Sequence, residues 1–292
     1  MKDPLTLKAP AKINLYLKVV GKREDGYHDI LSWMQMVGLY DVLAFRKADS
    51  GIDLRVENRS VAADRSNLVV RAAESLAKEA KTSEGASIVL TKNIPVSAGL
   101  GGGSSDAAAA LIGLNRLWSL GWSRQKLADL GSGLGSDVPF FLQGPAAWVS
   151  GRGDRVERAP AAPAGWVVLA NPGWPVSTAW VYRQISKKIR LTKNDPEITI
   201  SRFSGGKPSW KDIIRDPCND LEKVTLSAFP VLKEMKRKLG RLGGEGAMMS
   251  GSGPTLFARF QTEGQAKRAA RAIREEGLFQ VWVARILRRS PI

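Results

Sequence analysis

The sequence predicts an α+β protein built as two domains. Strand and helix patterns mix along it without a regular βαβ rhythm, which disfavours a doubly wound sheet. A stretch rich in Pro, Ala and Gly at residues 160–165 interrupts both kinds of pattern. The length of 292 residues is enough for two ordinary cores. The expected units are residues 1–160 and 161–292, with no internal repeat at solenoid spacing.

The elements follow in order. Residues 11–20 alternate: Ala11, Ile13, Leu15, Leu17 and Val19 share one face, Lys12, Asn14, Tyr16 and Lys18 the other. That is a half-buried strand, on which Lys12 and Asn14 point the same way. Asp25-Gly26 marks a turn, and a returning strand starts near Tyr27. Residues 41–47 and 52–57 read as further strands. Asn67 reads as the cap of a helix whose apolar face carries Leu68, Val69, Ala72, Ala73 and Leu76. Residues 87–91 return to strand, and a glycine-rich segment leads into a helix over 106–118. A second helix over 124–130 is capped by Ser123. Beyond the break, residues 166–170 are a buried strand, and residues 221–239 are helical with an interruption at Pro230. Residues 256–260 form a strand, 263–276 a helix and 280–287 a last strand.

Composition excludes several classes. Apolar residues make up 43% and charged residues 25%, as in globular enzymes. The longest apolar runs, residues 138–142 and 166–170, fall far short of the ~20 residues of a bilayer helix. The N-terminus lacks the apolar centre of a secretory signal. Cys218 is the only cysteine, so no internal disulfide or cysteine metal site can form, and a cytoplasmic location is expected. Forty-four Lys and Arg against 28 Asp and Glu give a net charge of +16. Such an excess suits a phosphate-rich substrate or a nucleic acid, although stretches 233–241 and 267–274 read as solvated helix faces.

The strongest chemical signal is Pro95-Val96-Ser97-Ala98-Gly99-Leu100-Gly101-Gly102-Gly103-Ser104-Ser105. Glycine is costly to order, so four in five positions imply a backbone that must approach something closely. The run feeds a helix N-terminus, where free N–H groups and the dipole attract an anion. Ser104 and Ser105 add hydroxyls for phosphate or magnesium. No Lys follows the glycines, so this is not a Walker A loop, and the H-R-D and D-F-G motifs of protein kinases are absent. Asp137 reads equally as a cap, with Pro139 two residues on, or as a reactive carboxylate. Tyr182 reads equally as a core aromatic or a ligand contact. His28 is the only histidine, so a histidine metal site is unsupported.

Residues 95–108 resemble the second motif of the GHMP kinases, in a form longer than the mevalonate kinase loop. Ala9-Pro10-Ala11-Lys12-Ile13-Asn14-Leu15, Asp25-Gly26-Tyr27-His28, Gly135-Ser136-Asp137-Val138-Pro139, Asn219-Asp220-Leu221-Glu222 and Ser250-Gly251-Ser252-Gly253-Pro254-Thr255 are similar to further motifs of that superfamily, in the same order. The resemblance implies a two-domain GHMP α+β fold with a ribosomal-S5-domain-2-like N-terminal domain. It implies ATP and Mg2+ as cofactors, with magnesium held by ATP phosphates, water and Ser105. Asp137 would be the base and Lys12 the catalytic lysine; Asn14 would position the substrate hydroxyl. Tyr27, His28, Thr178 and Tyr182 would hold a small-molecule substrate, a cytidine-diphosphate-linked methylerythritol. Lys92 and Asn67 would touch the nucleotide. A monomer or weak homodimer is expected, with neither membrane nor nucleic acid as partner. Another GHMP kinase, acting on homoserine or mevalonate, and a basic nucleic-acid binder on a ribosomal-type fold are the alternatives.

Overall fold

Two long antiparallel strands, β1 (Leu5–Lys22) and β2 (His28–Ala48), form the spine of the computed structural model, which describes residues 3–58, 61–188 and 207–292. Gly26, at φ +83°, makes the turn between them, as the Asp-Gly pair predicts. The separate strand expected at residues 41–47 is the far end of β2, which runs on without a break. Beside it lie β3 (Ile52–Glu57), β4 (Gly85–Thr91), β5 (Ala146–Gly151) and β6 (Arg155–Arg158). The order is β3-β4-β2-β5-β6, with β1 paired to β2; β4 takes Val42–Ala48 and β5 takes Ile30–Gln35. Among the described strand pairs of this sheet, only β3 and β4 run parallel.

Helix α1 (Leu68–Ala80) begins where Asn67 accepts the Val69 N–H, as its cap position requires. Helix α2 (Gly102–Leu117) starts four residues before the expected position, inside the glycine run. Its face of Ala107, Ala108, Leu111 and Leu114 is fully buried and packs on β1, β2 and α1. Helices α3 (Arg124–Ser132) and α4 (Val138–Gln143) complete the layer, and Ser123 caps α3 by accepting the Lys126 N–H.

The second half holds an antiparallel sheet of order β10-β7-β9-β8, from β7 (Trp166–Asn171), β8 (Glu245–Met249), β9 (Leu256–Phe260) and β10 (Gln280–Arg285). Around it lie α5 (Thr178–Lys188), α6 (Trp210–Arg215), α7 (Glu222–Ala228), α8 (Pro230–Arg241) and α9 (Glu263–Arg274). Pro230 falls at the start of α8 and separates it from α7. A shared apolar cluster joins the halves, with Ile13, Trp33 and Trp148 beside Val167, Leu169 and Phe257. Gln35 adds polar ties across the same seam: its amide donates to Leu287 O at 2.8 Å and accepts from Ala162 N–H at 2.9 Å.

The half-buried expectation for β1 needs correction. Lys12 and Asn14 are 4% and 1% exposed and Tyr16 is buried too, so the polar face is covered as far as Tyr16, and only Lys18 stays exposed. The edge of β1 away from β2 explains this. Lys12 N–H donates to Leu100 O at 2.9 Å, Leu17 N–H to Cys218 O at 2.8 Å and Val19 N–H to Asp220 Oδ2 at 2.9 Å. The glycine-rich loop and the C-terminal half thus close over the strand. No helix among the described residues is long and apolar enough to cross a membrane.

Candidate active site

The glycine run folds as a tight loop against its neighbours. Ser97, Gly99 and Gly101 all have positive φ, at 52°, 77° and 70°. A Cβ on Gly99 would sit 2.1 Å from Ser250 O, so only glycine fits there. Ser250 Oγ donates to Gly99 O at 2.8 Å, tying the loop to the segment after β8. Gly101 occupies the N-cap of α2 and offers no side-chain cap, and the first turn of α2 has no acidic residue. The first N–H groups of a 16-residue helix therefore have no side-chain cap, the arrangement in which a helix end can receive an anion. They face a cavity of about 450 Å³ lined by Pro95, Val96, Ser97, Ala98, Gly99, Gly101, Gly102, Gly103 and Ser104. Asn67 and Lys92 line it too. Leu100 and Ser105, expected at the nucleotide, turn their side chains into the interior: they are 1% and 0% exposed and do not line this cavity. The reason is the early start of α2, which sets Ser105 on its buried face.

Beneath the loop lies an ionic cluster that sequence reading missed. Lys92 Nζ donates to Asp106 Oδ2 at 2.7 Å and to Asp41 Oδ2, with all three side chains buried. Asp41 also accepts the N–H groups of Asn93 at 2.6 Å and Ile94 at 2.8 Å. Burial pushes the Asp106 carboxyl up to about 8; Lys92 opposes this and the Asp41 charge adds to it. Burial also works against the Lys92 ammonium, but the two carboxylates outweigh it and hold its pKa above the usual lysine range. The cluster clamps both ends of the glycine-rich loop, the strand end at Asn93–Ile94 and helix α2 just past its first turn, at Asp106. Asp106 closes the glycine motif and was within reach of the sequence. Asp41, 51 residues from Lys92, carried no local signal.

Lys12 and Asp137 meet at the mouth of the same cavity. Lys12 Nζ lies 3.7 Å from Asp137 Oδ2 and donates to Asn14 Oδ1 at 2.6 Å. Asn14 is fixed in turn, since its Nδ2 donates to Ser32 Oγ at 2.8 Å and Ser32 donates to Tyr16 O at 2.7 Å. Burial lowers the Lys12 ammonium from the usual lysine range, and the Asp137 carboxylate partly offsets it. Asp137 stands at the N-cap position of α4 yet makes no capping hydrogen bond. Its carboxylate faces the cavity instead.

A second cavity, of about 950 Å³, adjoins the first. Tyr27, His28, Thr178 and Tyr182 line it, with Lys22, Arg152 and Arg183. The His28 and Tyr182 rings stack at 5.1 Å with 29° between planes, while Tyr27 lies exposed at the rim. Burial lowers the His28 pKa and the Lys22 charge adds to this, so the imidazole is neutral at pH 7. Thr178 Oγ1 and Ser252 Oγ lie 2.8 Å apart. Asp137, Thr178, Tyr182 and Ile30 line both cavities, so the two meet at Asp137.

A small-molecule kinase of the GHMP class is what this loop, cleft and fold define. Residues 67–145 match the family model described as GHMP kinases N terminal domain, and residues 207–277 the one described as GHMP kinases C terminal. The 4-diphosphocytidyl-2-C-methyl-D-erythritol kinase of Syntrophus aciditrophicus (strain SB) is 43% identical over 281 residues, covering 96% of this chain and 99% of that protein. The enzyme of the same name from Syntrophotalea carbinolica is 46% identical over 264 residues, covering 90% of this chain and 91% of its own. The crystal structure of a 4-(cytidine 5'-diphospho)-2C-methyl-D-erythritol kinase matches with a TM-score of 0.79 at 35% identity, over 97% of this chain and 99% of that one. The chain belongs to the 4-diphosphocytidyl-2-C-methyl-D-erythritol kinase family.

Proposed function

We infer that the protein transfers the γ-phosphoryl group of ATP to the 2-hydroxyl of 4-diphosphocytidyl-2-C-methyl-D-erythritol, a step of the non-mevalonate route to isoprenoid precursors. One observation carries the reading at the level of the site. The glycine-lined cavity and the aromatic cavity meet at Asp137, and Lys12 stands 3.7 Å from it. A phosphoryl donor in one and an alcohol in the other come together at that carboxylate.

The roles follow from chemistry. Asp137 accepts the proton of the substrate hydroxyl; an ordinary carboxylate suffices, because phosphoryl transfer has a loose transition state that asks little of the nucleophile. Lys12 stabilises the charge that builds on the transferred group, from a buried position where such charge is felt strongly. Asn14 holds Lys12 in place and points an amide at the reacting hydroxyl's side of the strand. Neutral His28 offers one donor and one acceptor to the cytosine edge, and Tyr27 and Tyr182 offer aromatic faces. Thr178 lines the path between the cavities. The glycine loop and the N-terminus of α2 receive the ATP phosphates.

Magnesium enters with the nucleotide in this reading. Among the described residues no group of three or more His, Cys, Asp or Glu side chains is placed to hold a metal. The Asp106 carboxyl is engaged by Lys92, and Ser105 faces inward. The donors present suit an ion carried on ATP phosphates and water, where its charge neutralises the β- and γ-phosphates. The division at residue 160, a cytoplasmic location and a monomer or weak homodimer belong to the same reading. The +16 charge draws in two phosphate-bearing ligands.

The deciding test is ADP release with Mg-ATP and the cytidyl substrate, beside homoserine and mevalonate. Turnover confined to the cytidyl substrate supports the reading. Turnover with a control alone overturns the substrate and keeps the superfamily.

A further inference from the structure

The three-residue turn between β5 and β6, Arg152-Gly153-Asp154, reaches into the aromatic cavity from the N-terminal half. Its shape is tightly set. Gly151 and Gly153 have φ of +65° and +105°, and Asp154 Oδ1 accepts the Arg152 N–H at 3.0 Å. The Gly153 N–H closes the turn on Ser150 O at 3.1 Å. The turn is also braced against the catalytic loop: a Cβ on Gly153 would stand 3.1 Å from the Ser136 Cβ, one residue before Asp137. The backbone at Arg152 is thereby fixed relative to the loop that carries Asp137.

What Arg152 does with its charge is the telling point. Its guanidinium lies over the Tyr27 ring, with Cζ 5.2 Å from the centroid. Among the described residues no carboxylate lies within 4 Å of this guanidinium; Asp25, which feels its charge from farther off, is paired at 3.1 Å with Arg23, as is Asp29 at 3.0 Å. A planar cation laid on an aromatic face keeps its edge N–H groups free for a forked contact with phosphate oxygens. Holding the cation in place beforehand lowers the ordering cost when the anion arrives.

We propose that Arg152 is a specificity-determining residue that binds the diphosphate of the cytidyl substrate, with Tyr27 as the platform that aims its guanidinium. The assignment rests on the reading of the aromatic cavity as the substrate's site. Arg152 makes no use of the ATP phosphates, which belong to the glycine-lined cavity; the Arg152 side chain does not line that space. It selects acceptors carrying a phosphate ester over plain alcohols.

Steady-state kinetics on the full-length chain separate the possibilities. Arg152→Gln should raise KM for the cytidyl substrate by about tenfold or more, the scale of one charge-assisted contact. The KM for ATP should change by less than about twofold, and kcat much less than KM. Arg152→Lys should recover part of the loss. Inhibition by CDP should weaken in Arg152→Gln by the same factor, while inhibition by cytidine, which lacks phosphate, should not. Parallel weakening of CDP and cytidine would assign Arg152 to support of the ring and overturn the phosphate contact, as would an unchanged KM. An effect on the KM for ATP instead would move the contact to the nucleotide. A wild-type protein that fails to turn over the cytidyl substrate would sink the functional reading alone, because calorimetric titration of CDP and cytidine still reads the Arg152 contact directly.

Discussion

Lys12 Nζ sits 2.6 Å from Asn14 Oδ1 and 3.7 Å from Asp137 Oδ2, so its tighter partner is the amide two residues along its own strand. Their i,i+2 spacing places both on one face of β1. The Ser32 hydroxyl orients the amide so that its oxygen meets the ammonium. Asn14→Leu should therefore lower kcat by about 10- to 100-fold with little change in the KM for ATP, because it frees Lys12 without touching the glycine loop. A drop confined to KM for the alcohol substrate would instead make Asn14 a binding group only.

Asp137→Asn keeps the shape and removes the base. The expected loss in kcat is about 10²- to 10⁴-fold, the usual range for a general base, with folding intact because Asp137 makes no capping bond that stabilises α4. A thermal melt matching wild type together with full activity would sink the assignment.

Gly99 carries the loop's strictest steric demand. Gly99→Ala adds strain at φ +77° and a clash with Ser250 O, and should destabilise the fold by about 2–5 kcal/mol. Denaturant melts should show the lowered midpoint, and the KM for ATP should rise in whatever protein remains folded.

The Asp41–Lys92–Asp106 cluster makes stability depend on pH. Folding draws the Asp106 carboxyl from its ordinary 3.8 up to about 8. Between those values the folded chain holds a proton that the unfolded chain has released, so this contribution to stability is full below the lower value and declines as pH rises through the upper one. Asp106→Asn keeps a neutral partner for Lys92 and should flatten that slope in melts taken across the window. A slope identical to wild type would show that another group governs it.

Thr178 and Ser252 bring hydroxyls from α5 and from the turn after β8 to 2.8 Å where the two cavities meet. Thr178→Val preserves volume and strands Ser252. It should raise the KM for the alcohol substrate about three- to tenfold, with a smaller effect on the KM for ATP.

The sequence by itself determined the local devices. The glycine run, the Asn67 and Ser123 caps, the Asp25-Gly26 turn and the break at Pro230 are written in neighbouring residues, because each depends on φ, on one short hydrogen bond or on a missing N–H. The alternation along residues 11–19 likewise placed Lys12 and Asn14 on one face. Family likeness, also a property of the sequence, named the chemistry. Only the tertiary structure decided what those faces meet. It buried the polar side of β1 under the glycine loop and the C-terminal half, and merged the expected strand at 41–47 into β2. It turned Ser105 inward, drew Asp41 to Lys92, and laid Arg152 on Tyr27. The partners of each such contact lie tens to hundreds of residues apart, as Ser250 does from Gly99 at a separation of 151. Neither period nor propensity encodes such pairings, which are set by which strand edges and helix faces the whole chain leaves open to one another.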